Sequence, residues 1–91
     1  MAVTHQDGRI TMTAASDTYV SESFLVHGLC WYGGADGNTL VVLDQDNKAV
    51  FGKTADAGDL DAFVVFPNPL PVTEITAGTM GGGTLIVYVS E

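Results

Sequence analysis

Residues 23–32 read SFLVHGLCWY, and this stretch is the longest apolar run in the chain. It holds the only Trp, the only Cys and one of the two His residues. Ten residues are too few to span a membrane as a helix, which needs about 20. Gly28 inside the run and the Gly33-Gly34 pair after it disfavour a buried helix. The run therefore predicts a β-strand.

The side chains of this strand are apolar on both faces. Successive side chains of a strand point to opposite faces. Regular alternation predicts one face made of Phe24, Val26, Cys30 and Tyr32, and an opposite face made of Leu25, Leu29 and Trp31. The core of the domain must cover one of these faces. Whether the same chain or a partner covers the other face bears on function.

The composition describes one small folded domain, residues 1–91. The chain is 46% hydrophobic and 15% charged, which excludes a disordered protein. A single Cys excludes an intramolecular disulfide, and with it a disulfide-stapled secreted module. Residues 1–15 lack the basic start and apolar core of a signal peptide, so we expect synthesis in a cytoplasm.

The charge excludes two classes of partner. Eleven acidic residues stand against three basic ones, giving a formal net charge of −8. Binding to a phosphate backbone requires clustered Lys and Arg, whereas Arg9, Lys48 and Lys53 are scattered. We therefore expect neither a nucleic acid nor an anionic membrane surface as partner.

Short β-type segments alternate with turn residues at a spacing of roughly 8–12 residues. Residues 1–8 predict an N-terminal arm or a first short strand. Besides the strand at 23–32, strands are predicted at residues 9–14, 39–43, 49–54, 61–66, 72–77 and 84–89, and the β-type segment 18–22 is expected to lead into 23–32 through a bulge. Residues 67–71 (PNPLP) are predicted to end a strand because Pro lacks the N–H, and residues 78–83 predict a Gly-rich loop. The pattern predicts an all-β fold, an antiparallel β-sandwich (jelly-roll-like, or a small barrel) of about seven strands.

Four of these strands carry large apolar side chains on both faces, at residues 24–32, 40–43, 63–66 and 85–89. A strand of a two-layer sandwich needs only one apolar face, and no helix is predicted that could cover the other. Either loops and edges of the same domain cover the second faces, or another chain does. The second interpretation places a partner interface at Leu25, Leu29, Trp31, Val41 and Val64.

No pattern predicts a catalytic, cofactor or metal site. Regular alternation puts His27 and Cys30 on opposite faces, which disfavours a zinc site or a Cys–His nucleophile. The segment with Asp44, Asp46 and Asn47 departs from the EF-hand pattern, so it predicts a hairpin turn. A looser calcium site that adds Asp56, Asp59 or Asp61 stays open as an alternative.

Two other features have alternative interpretations. Residues 81–83 are three glycines followed by a strand, which predicts a tight turn and not a nucleotide-binding loop. The aromatic residues Trp31, Tyr32, Tyr19 and Tyr88 could stack on a sugar ring. Packing in the core or in an interface is the simpler interpretation of the same side chains.

Residues 29–89, about two thirds of the chain, resemble small β-sandwich structural proteins encoded among the head and tail genes of tailed bacteriophages. The resembling features are Trp31, Gly33 and Asp36-Gly37, followed by TLVVLD at 39–44, AVF at 49–51 and GTLIVYV at 83–89. The resemblance implies a non-enzymatic virion component, such as a capsid decoration (cement) protein. Such proteins often bind as trimers at symmetry axes of the shell.

The strands with two apolar faces predict a homo-oligomer or a domain that docks on a larger assembly. The resemblance implies that the domain is a structural protein of the virion that binds the major capsid protein or another shell protein, and it favours a trimer. The alternatives are a carbohydrate- or receptor-binding module of a spike, fibre or tail and, with less support, a subunit of a small enzyme complex.

Overall fold

The computed structural model describes residues 3–6, 8–56 and 61–90, and all the regular structure in these ranges is β. The strands are β1 (Val3–Gln6), β2 (Arg9–Met12), β3 (Thr18–Tyr32), β4 (Thr39–Leu43), β5 (Ala49–Thr54), β6 (Ala62–Met80) and β7 (Thr84–Ser90). They form one antiparallel sheet in the order β1-β2-β7-β3-β6-β4-β5. The predicted all-β antiparallel fold is confirmed. Within the described ranges no helix could cross a membrane.

The long strands β3 and β6 divide the sheet into two halves and belong to both. Residues 25–32 of β3 pair with β7, and residues 28–31 pair with the beginning of β6. The other end of β3, residues 18–20, pairs with residues 74–76 of β6, next to the segment 76–80 that pairs with β4. Side chains of both halves meet in one buried cluster, as in a sandwich or an open barrel. The outermost strands, β1 and β5, have one paired neighbour each among the described residues.

Extra residues at two points interrupt the pairing of β3 with β6. Between Val20 and Phe24, β3 has three residues where β6 has one, so the predicted bulge near residue 22 is confirmed. Between Val26 and Gly28, β3 has one residue, His27, where β6 has four, residues 66–69. On its other side β3 pairs Val26 with Val89 and Gly28 with Tyr88, so His27 is an extra residue with no counterpart on β7. Such bulges bend a strand and increase its twist, which allows β3 and β6 to serve both halves.

The prediction that residues 67–71 end a strand was wrong, because β6 continues through them. Pro67 and Pro69 fall among the four residues that the pairing skips, so these two prolines remove no hydrogen bond from the β3–β6 ladder. The predicted Gly-rich loop is also shorter than expected. β6 continues to Met80 and β7 begins at Thr84, which leaves residues 81–83 as the turn.

The bulge at His27 reverses the alternation of β3, so the predicted faces are wrong beyond that residue. Phe24 and Val26 are buried as predicted, but Leu29 and Trp31 lie on the same inward face and are fully buried. Tyr32, predicted on the face of Phe24, is exposed instead. One unpaired residue shifts every following side chain to the opposite face.

Two polar contacts fix turns around the core. The Asp17 side chain is 1% exposed, and its Oδ2 accepts hydrogen bonds from the backbone N–H groups of Thr13 and Ala14, both at 3.1 Å. This closes the turn between β2 and β3, in which Ser16 has a positive φ of 71°. In the turn between β6 and β7, the carbonyl oxygen of Gly82 accepts a hydrogen bond of 2.9 Å from the Nε1–H of Trp31.

Candidate binding face

One surface of the sheet combines exposed aromatic and aliphatic side chains from adjacent strands. We name it the outer face, and it consists of Arg9 and Thr11 on β2, Ile86 and Tyr88 on β7, Cys30 and Tyr32 on β3, and Phe63 and Val65 on β6. The pairing register aligns these side chains in rows across the strands. Cys30 lies opposite Ile86 on one side and opposite Phe63 on the other. The alternate residues of the same strands point into the core.

The outer face is apolar although the protein is strongly acidic. Phe63 is 69% exposed, Val65 65% and Tyr32 44%, which are large values for such side chains. Arg9 is the only charged residue among the eight that define the face, and the exposed Asp61, two residues before Phe63, adds a carboxylate at its edge. Contiguous exposed apolar surface is typical of interaction sites, so this face is the candidate for one.

Gly28 creates a hollow in the outer face. It lies between Tyr88 of β7 and Val65 of β6, at a position where any other residue would place a side chain. The hollow has a volume of about 230 Å³ and is lined by His27, Gly28, Phe63, Val64, Val65 and Tyr88. A Cβ atom on Gly28 would overlap the carbonyl oxygen of Val64, so the close approach of β3 and β6 requires glycine here.

Two aromatic rings and one polar pair surround this hollow. The rings of Phe63 and Tyr88 pack edge to face, with centroids 6.5 Å apart and planes at 87°. The Nε2 of His27 and the Oγ of Ser90 are 2.6 Å apart and share a hydrogen bond. In the described part of the chain no carboxylate is bonded to His27, so the pair lacks the third group of a Ser–His–Asp site. The chemistry that the hollow offers is apolar contact with a polar rim.

The five residues predicted to form the partner interface do not lie on one surface. Leu29 and Trp31 are in the core, which corrects their predicted placement. Val64 is half-buried and packs against the core, because Phe63 and Val65 take the outward positions of β6. Leu25 and Val41 are half-buried between inward-facing neighbours, on β3 and on β4 respectively.

Sequence reasoning missed Phe63, Val65, Cys30 and Ile86 as members of a surface, and it considered Tyr32 and Tyr88 only as rings that could stack on a sugar. A signal for the error was present, since an isolated Gly within a strand pattern indicates a bulge or a close approach of two backbones. The general prediction that some strands carry large apolar side chains on both faces is confirmed. In β7, for example, Leu85 and Val87 are buried whereas Ile86 and Tyr88 are partly exposed on the other side.

The aromatic residues considered for sugar stacking separate into two groups. Trp31 is buried, and Tyr19 packs edge to face on Phe24 with ring centroids 5.4 Å apart. Trp31 therefore presents no face to a sugar, and Tyr19 is half-buried beside the core. Tyr32 and Tyr88 remain available on the outer face.

The bulge also corrects the expected geometry of His27 and Cys30. They were predicted on opposite faces, but both are half-buried on the outer side of β3. Residues 3–6, 8–56 and 61–90 contain no group of three side chains that could hold a metal ion. Asp59, part of the alternative calcium site, lies outside the described residues.

The predicted hairpin-turn role of residues 44–48 is confirmed. The Oδ1 of Asp44 accepts hydrogen bonds from the backbone N–H groups of Asp46 and Lys48, at 2.9 and 3.0 Å. Asn47 supplies the positive φ that the turn requires, at 58°. The Asp44 side chain therefore serves the turn between β4 and β5.

Comparison of the chain with protein-family models, with curated proteins and with solved structures gives no match. The function is therefore inferred from the outer face and from the sequence features described above.

Proposed function

We propose that this domain is a non-enzymatic structural protein of a phage virion, a capsid decoration (cement) protein that binds and stabilises the head. The observation that supports this most is the outer face, an exposed apolar surface on a domain with a formal net charge of −8. A solvent-facing role alone does not explain Phe63 and Val65, since both expose about two thirds of their surface. The resemblance to phage head and tail proteins supplies the kind of partner, the major capsid protein or another shell protein.

The mechanism is adhesion by burial of apolar surface. Full burial of a large apolar side chain contributes roughly 1.5–3 kcal/mol, so covering Phe63, Val65 and Tyr32 contributes several kcal/mol. Association costs a comparable amount in lost freedom, so one copy binds weakly by itself. Copies that also contact one another bind a shell with several sites at once, and avidity then raises the overall affinity.

Two observations test the proposal. A decoration gene lies beside shell, portal or tail genes, so the genes that flank this coding sequence are the first test. The second is co-sedimentation of the purified domain with shells assembled from the neighbouring capsid protein. We expect saturable binding and a higher melting temperature of the shells. Absence of such genes, or a domain that stays in the supernatant at every concentration, would contradict the proposal.

A matched pair of variants connects this binding to the outer face. Val65 lies on the outer face and Val20 lies on the other half of the sheet, at the first bulge of β3, and both are 65% exposed. Val65→Ser should weaken shell binding, whereas Val20→Ser should leave it unchanged. Equal behaviour of the two variants would show that general surface hydrophobicity, and not this face, drives binding.

The hollow favours a second candidate function, binding of a carbohydrate by a spike, fibre or tail module. The Phe63 and Tyr88 rings flank a space of about 230 Å³, and the His27–Ser90 pair offers polar atoms at its edge. Sugars bind by placing their C–H surfaces on aromatic rings and their hydroxyl groups on such polar atoms. A glycan array should then give hits that Tyr88→Ala abolishes, and an array without hits would rule this function out.

A further inference from the structure

We infer that an extended segment of the shell protein adds as a β-strand in the cleft between β5 and the beginning of β6. The cleft has a volume of about 430 Å³ and is lined by residues 51–53 on β5 and by residues 61–64 on the other side. The inference rests on the proposed function and deepens it, since it names the part of the partner that binds beside the outer face. Phe63 joins the two sites, because its side chain belongs to the outer face and its backbone to the cleft.

Both walls of the cleft are edges of the sheet. Among the described residues, β5 pairs with β4 alone, and residues 62–65 of β6 pair with β3 alone. β6 meets its second neighbour, β4, only from Thr76 onward. The edge of a sheet carries backbone N–H and C=O groups with which a further strand can pair. Two such edges therefore face each other across the cleft.

On β6, the backbone of Phe63 points into the cleft. The carbonyl oxygen of Asp61 accepts a hydrogen bond of 2.9 Å from the Nζ of Lys53, so this carbonyl points toward β5. The carbonyl oxygen of Val64 points the other way, toward β3, because a Cβ atom on Gly28 would overlap it. The backbone groups of successive residues in a strand alternate between its two sides. Phe63, two residues after Asp61, thus directs its N–H and C=O away from β3 and into the cleft.

On β5, the backbone of Gly52 points into the cleft. The backbone N–H of Ala55 donates a hydrogen bond of 2.7 Å to the carbonyl oxygen of Asn38, which precedes β4, so the backbone of Ala55 points to the β4 side. Alternation then directs Lys53 to β4 and Gly52 away from it. Glycine inside a strand is typical of a site where another backbone approaches closely, and Gly52 is exposed. A strand added in the cleft finds hydrogen-bond donors and acceptors on both walls.

The width of the cleft suits one strand and excludes a helix. An extended Lys side chain, five bonds of about 1.5 Å in a zigzag, spans roughly 6 Å. With the hydrogen bond of 2.9 Å, the Cα of Lys53 lies no more than about 9 Å from the carbonyl oxygen of Asp61. Two strand spacings amount to about 9.6 Å, whereas a helix with its side chains is about 10–12 Å across. Addition of an extended peptide to a sheet edge is an established mode of recognition, and it requires a segment without Pro at the paired positions.

The test is co-sedimentation of the full chain with shells of the neighbouring capsid protein, using variants at Gly52. Gly52→Pro removes the N–H that points into the cleft and puts the proline ring in its place, while the hydrogen bonds to β4 remain. We expect the dissociation constant to rise about tenfold or more. Gly52→Ala is the matched control and should bind like the wild type, because it keeps the N–H and its Cβ would meet only ordinary contacts. Circular dichroism of each variant establishes that the fold is retained.

Hydrogen exchange of the wild-type chain gives an independent measurement that needs no substitution. In the shell-bound domain, the amides of Gly52 and Phe63 should exchange about tenfold more slowly, or slower still, than in the free domain. The amide of Lys53 points to β4 and is the internal reference, whose exchange should not change. Unchanged exchange at both Gly52 and Phe63 would overturn the inference, and so would a Gly52→Pro variant that binds as tightly as Gly52→Ala.

The outcomes separate this inference from the proposed function. Shell binding that Val65→Ser weakens but Gly52→Pro leaves unchanged would refute the added strand and leave the decoration role intact. A wild-type chain that does not bind shells would refute the decoration role and, with it, the shell protein as the source of the strand. Sedimentation equilibrium of the chain alone tests the remaining occupant. Oligomers that Gly52→Pro dissociates would show that the strand comes from a second copy, and the inference would be wrong.

Discussion

Trp31 and Tyr32 are neighbours in β3 whose side chains leave the strand on opposite faces, and replacing each by Leu measures this difference. Trp31 is fully buried and donates a hydrogen bond of 2.9 Å to the carbonyl oxygen of Gly82. Tyr32 is 44% exposed on the outer face. Each substitution exchanges an aromatic ring for the same aliphatic side chain, so the pair differs mainly in environment.

The expected costs differ several-fold. Leu at position 31 leaves a cavity of roughly 60 Å³, and about 24 cal/mol per Å³ gives roughly 1.5 kcal/mol. Loss of the indole hydrogen bond adds about 1 kcal/mol. With the lost transfer energy of the ring, Trp31→Leu should lower the free energy of unfolding by about 3 kcal/mol. Tyr32→Leu should change it by no more than about 0.5 kcal/mol, as is usual at an exposed position.

Urea unfolding followed by far-ultraviolet circular dichroism measures both values without depending on tryptophan fluorescence. The experiment belongs at low protein concentration, since any self-association would stabilise the folded chain. At roughly 4–8 °C per kcal/mol for a domain of this size, a loss of about 3 kcal/mol should appear as a fall of about 12–24 °C in Tm for Trp31→Leu. If Tyr32→Leu lost as much stability as Trp31→Leu, the result would refute the bulge at His27 and would favour a strand with regular alternation.

Three further substitutions test local features by thermal and urea unfolding. Asp17→Ala should lower the free energy of unfolding by about 2–3 kcal/mol, because two backbone N–H groups lose their acceptor. Asp17→Asn should lower it by less than half as much, because a single side-chain oxygen accepts both hydrogen bonds. Equal losses for the two variants would contradict this account. Gly28→Ala should cost about 1–3 kcal/mol through overlap with the carbonyl oxygen of Val64. Gly52→Ala, whose Cβ would meet only ordinary contacts, is its control and should stay within about 0.5 kcal/mol. Asn47→Ala should cost about 1 kcal/mol because φ is 58°, whereas Asn47→Gly should be nearly neutral; a lower stability for Gly than for Ala would show that the conformation is not the cause.

The fold class could be predicted from sequence because strands and turns leave local signals. The hairpin of β4 and β5 is an example, since apolar runs flank a turn built from Asp44 and Asn47. The full length of β6 could not be predicted. The strand continues through Pro67 and Pro69 because the pairing of β6 with β3 leaves these two residues unpaired. Pairing between distant segments decided this point, and no local pattern contains that information.

The candidate site was harder to predict because strand faces follow a period of two residues. A single residue without a counterpart on β7, at position 27, exchanged the two faces for the rest of β3 and moved Trp31 from the expected interface into the core. On β6 an error of one position selected Val64 instead of Phe63 and Val65. The sequence thus indicated that an apolar surface exists, and the pairing register determined which residues form it.

The position of β7 has a consequence for how the chain acquires its structure during synthesis. β7 follows all the other strands in sequence, yet it lies between β2 and β3 near the middle of the sheet. Until it is made, β2 has only β1 as a neighbour, and residues 25–32 of β3 lack one of their two flanking strands. A ribosome adds roughly 5–20 residues per second, so a nascent chain spends a measurable time with these edges and the apolar residues behind them uncovered. Folding of this half therefore waits for the final strand, and a chaperone would have its best access to the protein in that interval.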